Sequence, residues 1–86
     1  MSKKVTIYTF STCPYCIRAK RLMDNKGVKY EEIEISNNNE KLEELKQRTN
    51  SATVPQIFIN DRFIGGCDDI VELHKKGEFD KVFGIK

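Results

Sequence analysis

The feature that most restricts the fold is the join between residues 5–10 and residues 13–27. Val5-Thr6-Ile7-Tyr8-Thr9-Phe10 alternates apolar and polar side chains, the period of a strand. Cys13-Pro14 follows at once, reading as a helix N-cap and its first residue, where proline is most welcome. Cys16, Ala19, Leu22 and Met23 then recur at helical spacing, and Gly27 supplies the stop. Alternation returns from Tyr30 to Ile35. A strand, a helix of about three turns and a second strand make a βαβ unit, whose strands are parallel with a right-handed crossover.

The remainder adds elements to that unit. Asn37 with Glu40 resembles a capping box, opening a helix with Leu42 and Leu45 inward that ends near Thr49-Asn50. Val54-Pro55-Gln56-Ile57-Phe58-Ile59 and Arg62-Phe63-Ile64 flank Asn60-Asp61, two residues that tolerate positive φ, so these runs form a hairpin. Asp68 and Asp69 suit the start of a helix bearing Ile70, Val71 and Leu73, stopped by Gly77. Phe79, Val82 and Phe83 close the core from a last short turn. The expected order is β-α-β-α-β-β-α, an α/β fold with a four-stranded mixed sheet flanked by helices. Eighty-six residues without repeat or linker suit one domain over positions 1–86 with a single modest core.

Bulk properties remove several function classes. The net charge is +2, and the basic run Arg18, Lys20, Arg21 and Lys26 reads as a solvated helix face. No RNA-binding aromatic motif or zinc-finger spacing accompanies it, so nucleic acid is not an expected partner. No apolar stretch approaches the ~20 residues that span a bilayer. The N-terminal apolar run is broken by Thr6 and Thr9, so no signal peptide is read there. A cytoplasmic monomer is the expectation. In that compartment a structural disulfide is disfavoured, whereas a catalytic or metal-binding cysteine pair is not.

Cys13 and Cys16 therefore need a chemical reading. Structural zinc requires four ligands, commonly in two clusters, and here only Cys67 and His74 follow, far along the chain. A Cys13–Cys16 staple closes too small a loop to constrain the unfolded chain much. Electron exchange explains the placement. An N-cap sulfur at Cys13 meets unsatisfied backbone N–H groups, expected from Tyr15 and Cys16, and the positive end of the helix dipole. Both favour the thiolate, which is the nucleophile. Cys16, one turn inward, is expected to be more buried and to hold its proton more tightly. Cys13 is then the attacking thiol and Cys16 the resolving one, and C-x-x-C beside a βαβ pattern is a redox signature.

Three blocks in this order, TCPYC at 12–16, TVPQIFI at 53–59 and GGCDD at 65–69, make the chain resemble a glutaredoxin of the small dithiol class. The resemblance implies a thioredoxin-like fold and a glutathione-dependent thiol–disulfide oxidoreductase with a reduction potential of about −200 to −230 mV. It implies a cis bond at Val54-Pro55, an isomer found in only about 5% of X-Pro bonds. That geometry would present the backbone N–H and C=O of Val54 to a cysteine-containing peptide beside Cys13, with Thr53 and Pro55 also expected among the glutathione contacts. It also implies that Gly66, Cys67 and Asp68 receive the γ-glutamyl end of glutathione, with Tyr15 packing on the tripeptide. On the residues alone, Asp68 and Asp69 read as helix caps, Cys67 as a small packing residue and His74 as helix surface.

Two positions depart from the pattern. Many glutaredoxins carry a lysine where this chain has Phe10 and a basic residue where it has Ala52. Those cations meet the glycyl carboxylate of glutathione, and Lys46 or Arg48 are the candidates to replace them. The departures keep open a glutathione-independent redoxin reloaded by a thioredoxin-reductase-type enzyme. A [2Fe–2S] carrier bridged through Cys13 and glutathione is a further alternative, which Pro14 disfavours; no resident metal is expected. The anticipated protein partners are disulfide-bonded or glutathionylated substrates.

Overall fold

Alternating side chains give the central strands two buried faces, and each face is covered by its own helices. The computed structural model describes residues 4–51 and 53–84. The order is β1 (Val5–Thr9), α1 (Pro14–Asn25), β2 (Tyr30–Glu34), α2 (Asn39–Thr49), β3 (Gln56–Ile59), β4 (Arg62–Gly65), α3 (Cys67–Lys75) and α4 (Phe79–Phe83). The strands lie in the order β2-β1-β3-β4. β1 and β2 are parallel, with Ile7 opposite Glu32, and β1 pairs antiparallel with β3, with Ile7 opposite Ile57. β3 and β4 form the expected antiparallel hairpin. Its turn residues Asn60 and Asp61 both have positive φ, 51° and 66°.

Val5, Ile7, Ile57 and Ile59 point to one face, where Ala19 and Met23 of α1, Ile70 of α3 and Phe79 and Phe83 of α4 cover them. Tyr8 and Phe58 point to the other face, against Leu45 of α2 and Ile35. Burying one such side chain contributes about 1.5–3 kcal/mol. The closing turn expected around Phe79 is a short helix in its own right, with the Phe79 and Phe83 rings stacked at 4.2 Å. Lys26, just past the end of α1, pairs with Asp80 of α4 at 2.8 Å.

Two local expectations are corrected. The N-cap of α2 is Asn38, not Asn37, and its Oδ1 accepts from the Lys41 N–H at 3.0 Å. Glu40 is consequently one position too early to complete a capping box. β3 begins at Gln56 rather than Val54, since Pro55 has no N–H to give the ladder. Among the described residues, no helix is long and apolar enough to cross a membrane.

Candidate active site

β1 delivers the chain to the start of α1, and the redox pair sits at that corner. Cys13 is the N-cap, in extended conformation (φ −91°, ψ 116°), followed by Pro14 in the first turn. Its N–H reaches the Phe10 carbonyl at 3.4 Å, and its own carbonyl accepts from the Ile17 N–H at 3.2 Å. Cys13 is half-buried, whereas Cys16, one turn inward, is 1% exposed. Cys13, Cys16 and Cys67 are all free thiols.

Burial pushes the Cys16 thiol up to about 12, and Cys13 beside it adds to the rise. A backbone hydrogen bond from Phe10 and the charge of Lys20 pull the other way. The expected asymmetry of the pair therefore has a physical source on the Cys16 side. One detail differs from expectation. The Cys13 side chain makes no capping bond to the N–H groups of α1. Its Sγ instead donates to the Val54 carbonyl at 3.8 Å. The facing loop supplies the acceptor.

That loop is held by a buried amide. The Val54–Pro55 bond is cis. Gln56, 1% exposed, donates from Nε2 to the carbonyls of Ser51 at 2.7 Å and Thr53 at 3.0 Å. Its Oε1 accepts from the Thr49 hydroxyl at 3.1 Å. Gln56 therefore ties the end of α2 to the loop that carries Val54. Its sequence signal was a lone polar residue inside the apolar run of TVPQIFI, since a buried polar group is normally kept for its hydrogen bonds.

The start of α3 forms the opposite wall. The Asp69 carboxylate accepts from the Gly66 N–H at 2.8 Å, closing the helix end, while Asp68 is exposed. The two aspartates thus divide: both are exposed, but Asp69 makes the capping bond to the Gly66 N–H. A Cβ on Gly66 would lie 3.0 Å from the Pro55 carbonyl, so the two walls approach closely there. Burial also pushes the Cys67 thiol up.

Between the walls lies a groove of about 540 Å³. Tyr15, Thr53, Val54, Pro55, Gly66, Cys67 and Asp68 all line it, bringing together every residue expected at the glutathione site. Ser51, Phe63 and Asp69 line it too and were missed. Phe63 reads in sequence as the outward side of an edge strand; it is 37% exposed and leans on Phe58. Cys13 and Cys16 are not among the lining residues, and Cys13 reaches the groove through Val54.

The cations are elsewhere. Phe10 is half-buried against the α2-side core. Arg48 donates to the Asp61 carbonyl at 3.0 Å and lies over the Phe58 ring, so it serves the hairpin and not the groove. Lys46 is exposed and does not line the groove, and Ala52 lies outside the described residues. His74 is exposed, with its ring edge-on to Phe79 at 6.4 Å.

The different burial of the three thiols makes an immediate prediction. Iodoacetamide at pH 8 should label Cys13 rapidly and leave Cys16 and Cys67 unlabelled until the chain is unfolded, as read by peptide mass mapping. Because the Cys16 pKa is raised to about 12, its thiolate fraction should grow about tenfold per pH unit across the alkaline range. Labelling of Cys16 at pH 8 as fast as Cys13 would contradict the assignment of roles.

The family model for glutaredoxin matches residues 5–64. Glutaredoxin 1 of Rickettsia prowazekii is 51% identical over 80 residues, covering 91% of this chain and 84% of that relative. Glutaredoxin 3 of Escherichia coli is 51% identical over 76 residues, covering 88% and 92%. Among solved structures, a buckwheat glutaredoxin–glutathione complex superposes with a TM-score of 0.89 at 32% identity, covering 95% of this chain and 77% of that one. A Brucella melitensis glutaredoxin gives 0.85 at 41% identity, covering 95% and 89%. With the sheet order, the C-x-x-C corner and these likenesses together, the chain belongs to the glutaredoxin family of thiol–disulfide oxidoreductases, within the thioredoxin-like superfamily.

Proposed function

We propose that this protein reduces glutathione mixed disulfides and protein disulfides at the expense of glutathione, with Cys13 as nucleophile and Cys16 as resolving thiol. The observation that carries the reading is the bond from Cys13 Sγ to the Val54 carbonyl, which joins the reactive corner to the groove. The buckwheat relative solved with glutathione supports that choice of ligand.

In the monothiol route, Cys13 thiolate attacks the glutathione sulfur of a glutathionylated protein. The new bond is Cys13–SG, and the protein leaves as a thiolate that takes a proton from solvent. A second glutathione attacks the glutathione sulfur, restoring Cys13 and forming oxidised glutathione. In the dithiol route, Cys13 opens a substrate disulfide and Cys16 displaces the substrate, leaving Cys13–Cys16 oxidised. Val54 offers its backbone N–H and C=O to the cysteinyl residue of the tripeptide. Free N–H groups of Cys67 and Asp68 at the start of α3 suit its α-carboxylate. The Asp68 carboxylate suits its ammonium, and Tyr15 covers it. We place this activity in a cytoplasmic, single-domain monomer.

One observation favours a second reading: no lysine or arginine stands among the described residues that line the groove. A redoxin reduced directly by a thioredoxin-reductase-type flavoenzyme has no need of a cation there. Reduction of a glutathione mixed disulfide, coupled to NADPH oxidation, separates the two. Turnover with glutathione and glutathione reductase, and none with thioredoxin reductase alone, is the expected result; the reverse pattern would transfer the protein to the second class.

A further inference from the structure

A chain of contacts outside the groove ends beside the resolving cysteine. Thr9, fully buried at the end of β1, donates from Oγ1 to Glu32 Oε2 at 2.8 Å. The same oxygen accepts from Lys20 Nζ at 2.9 Å. Glu32 stands opposite Ile7 in the parallel pair, and Ile7 faces α1, so the carboxylate rises on the α1 side of the sheet. Lys20 is four residues beyond Cys16 on α1. Residues at that spacing are neighbours on one helix face, roughly 5–6 Å apart at Cβ. An ordinary surface lysine sweeps through many rotamers; this one is tied to a carboxylate that is itself tied to a buried hydroxyl.

We propose that Lys20, fixed by Glu32 and Thr9, is a positioning residue for the resolving step: its ammonium favours the Cys16 thiolate that attacks the Cys13 mixed disulfide. The proposal rests on the dithiol reading above. In the step itself, Cys16 gives its proton to solvent and its thiolate attacks Cys13 Sγ. The Cys13–Cys16 bond forms as the Cys13–substrate bond breaks, and the departing substrate thiolate takes up a proton. No outside oxidant is required.

The electrostatics of the corner agree. Lys20 lowers the pKa of Cys16 against the larger effect of burial, and Lys20 with Thr9 holds the Glu32 carboxyl below its ordinary value of 4.5. The other groups facing Cys16 are Cys13 in its own loop, which raises it, and a backbone hydrogen bond from Phe10, which lowers it. On α3, packed against α1, Cys67 is itself kept as a thiol by burial. Lys20 is thus the cation acting on a thiol that must ionise to resolve.

Size follows from thiol chemistry. Each unit added to the Cys16 pKa removes about tenfold of its thiolate near neutral pH, while the more basic sulfur attacks roughly threefold faster, so resolution slows about threefold overall. The test uses a neutral dipyridyl disulfide, at concentrations where capture by Cys13 outruns resolution. Released thiopyridone is followed by stopped-flow absorbance. The first release reports Cys13, and the second reports displacement by Cys16. Lys20→Met should slow the second phase, by about threefold for each unit by which the Cys16 pKa rises, and leave the first unchanged, and Lys20→Arg should keep both phases near wild type. An unaltered second phase in Lys20→Met, equal slowing of both phases, or an arginine variant as slow as the methionine one would overturn the proposal. A second release that survives in Cys16→Ser would instead remove the dithiol reading itself.

Discussion

Cys13→Ser should abolish both routes of disulfide exchange, while Cys16→Ser should abolish only the reduction of protein disulfides and spare the turnover of glutathione mixed disulfides. The first half follows from the state of the remaining thiols. Serine offers no thiolate, and the thiolate is what attacks sulfur. Cys16 is 1% exposed and held near 12, so at pH 7 roughly one molecule in 10⁵ carries its thiolate. Cys67 is 4% exposed, and its thiol is pushed up by burial as well. Neither can replace Cys13, although Cys67 lines the groove. The second half follows from geometry. On the proposed mechanism Cys13 alone accepts glutathione and is released by another glutathione, but a protein mixed disulfide without Cys16 has no internal thiol to resolve it. The measurement is steady-state turnover of both substrate types for the two variants, with mass spectrometry of the trapped Cys16→Ser adduct. Substantial activity in Cys13→Ser would sink the assignment of the nucleophile, and loss of both routes in Cys16→Ser would sink the monothiol route.

What could be read from the chain beforehand has a common character: it depended on side-chain period or on backbone chemistry within a few residues. The Val5–Phe10 alternation gives a strand because successive side chains point to opposite faces. Cys13-Pro14 marks the start of α1 because the first turn forgives a missing N–H and the helix interior does not. Asn60-Asp61 forms the hairpin turn because both residues tolerate positive φ. The unread parts are those where several residues of one type compete, or where a partner is distant in sequence. In the run Asn37-Asn38-Asn39 the capping-box spacing to Glu40 points to Asn37, whereas the cap is Asn38, whose side chain accepts from the Lys41 N–H. Asp68 and Asp69 look alike, yet the turn at Gly65-Gly66 lets Asp69 alone reach the Gly66 N–H. Gln56 declares a need for hydrogen bonds, but not that they run to Thr49, Ser51 and Thr53. The Thr9–Glu32–Lys20 chain joins three elements and has no short-range signal at all. Val54-Pro55 was legible through family resemblance, since nothing in the local chemistry of a valine–proline pair selects cis.

The adjoining glycines should respond to alanine in opposite ways, Gly65→Ala damaging the fold and Gly66→Ala the site. Gly65 has φ +143°, a region that L side chains rarely enter, and a Cβ there would collide with the Asp69 carboxylate. The substitution incurs strain of about 1–3 kcal/mol for the backbone. It also displaces the carboxylate that bonds the Gly66 N–H, a capping contact whose loss costs about 0.5–2 kcal/mol. Together these approach roughly 2–4 kcal/mol, against a total stability of about 5–15 kcal/mol for a domain. For a chain of this length the midpoint of thermal unfolding should fall by roughly 10–25 °C. Gly66 has φ −110°, which alanine adopts readily. Its Cβ would instead lie 3.0 Å from the Pro55 carbonyl, wedging the start of α3 away from the loop that carries Val54. Both of those residues line the groove, so Gly66→Ala should weaken turnover of glutathione mixed disulfides with only a small change in thermal midpoint. Melting curves and initial rates on the same preparations decide the matter. An unshifted midpoint in Gly65→Ala would mean that Asp69 is not holding the helix end, and full activity in Gly66→Ala would mean that the groove tolerates a wider separation of its walls than the chemistry of a bound tripeptide should permit.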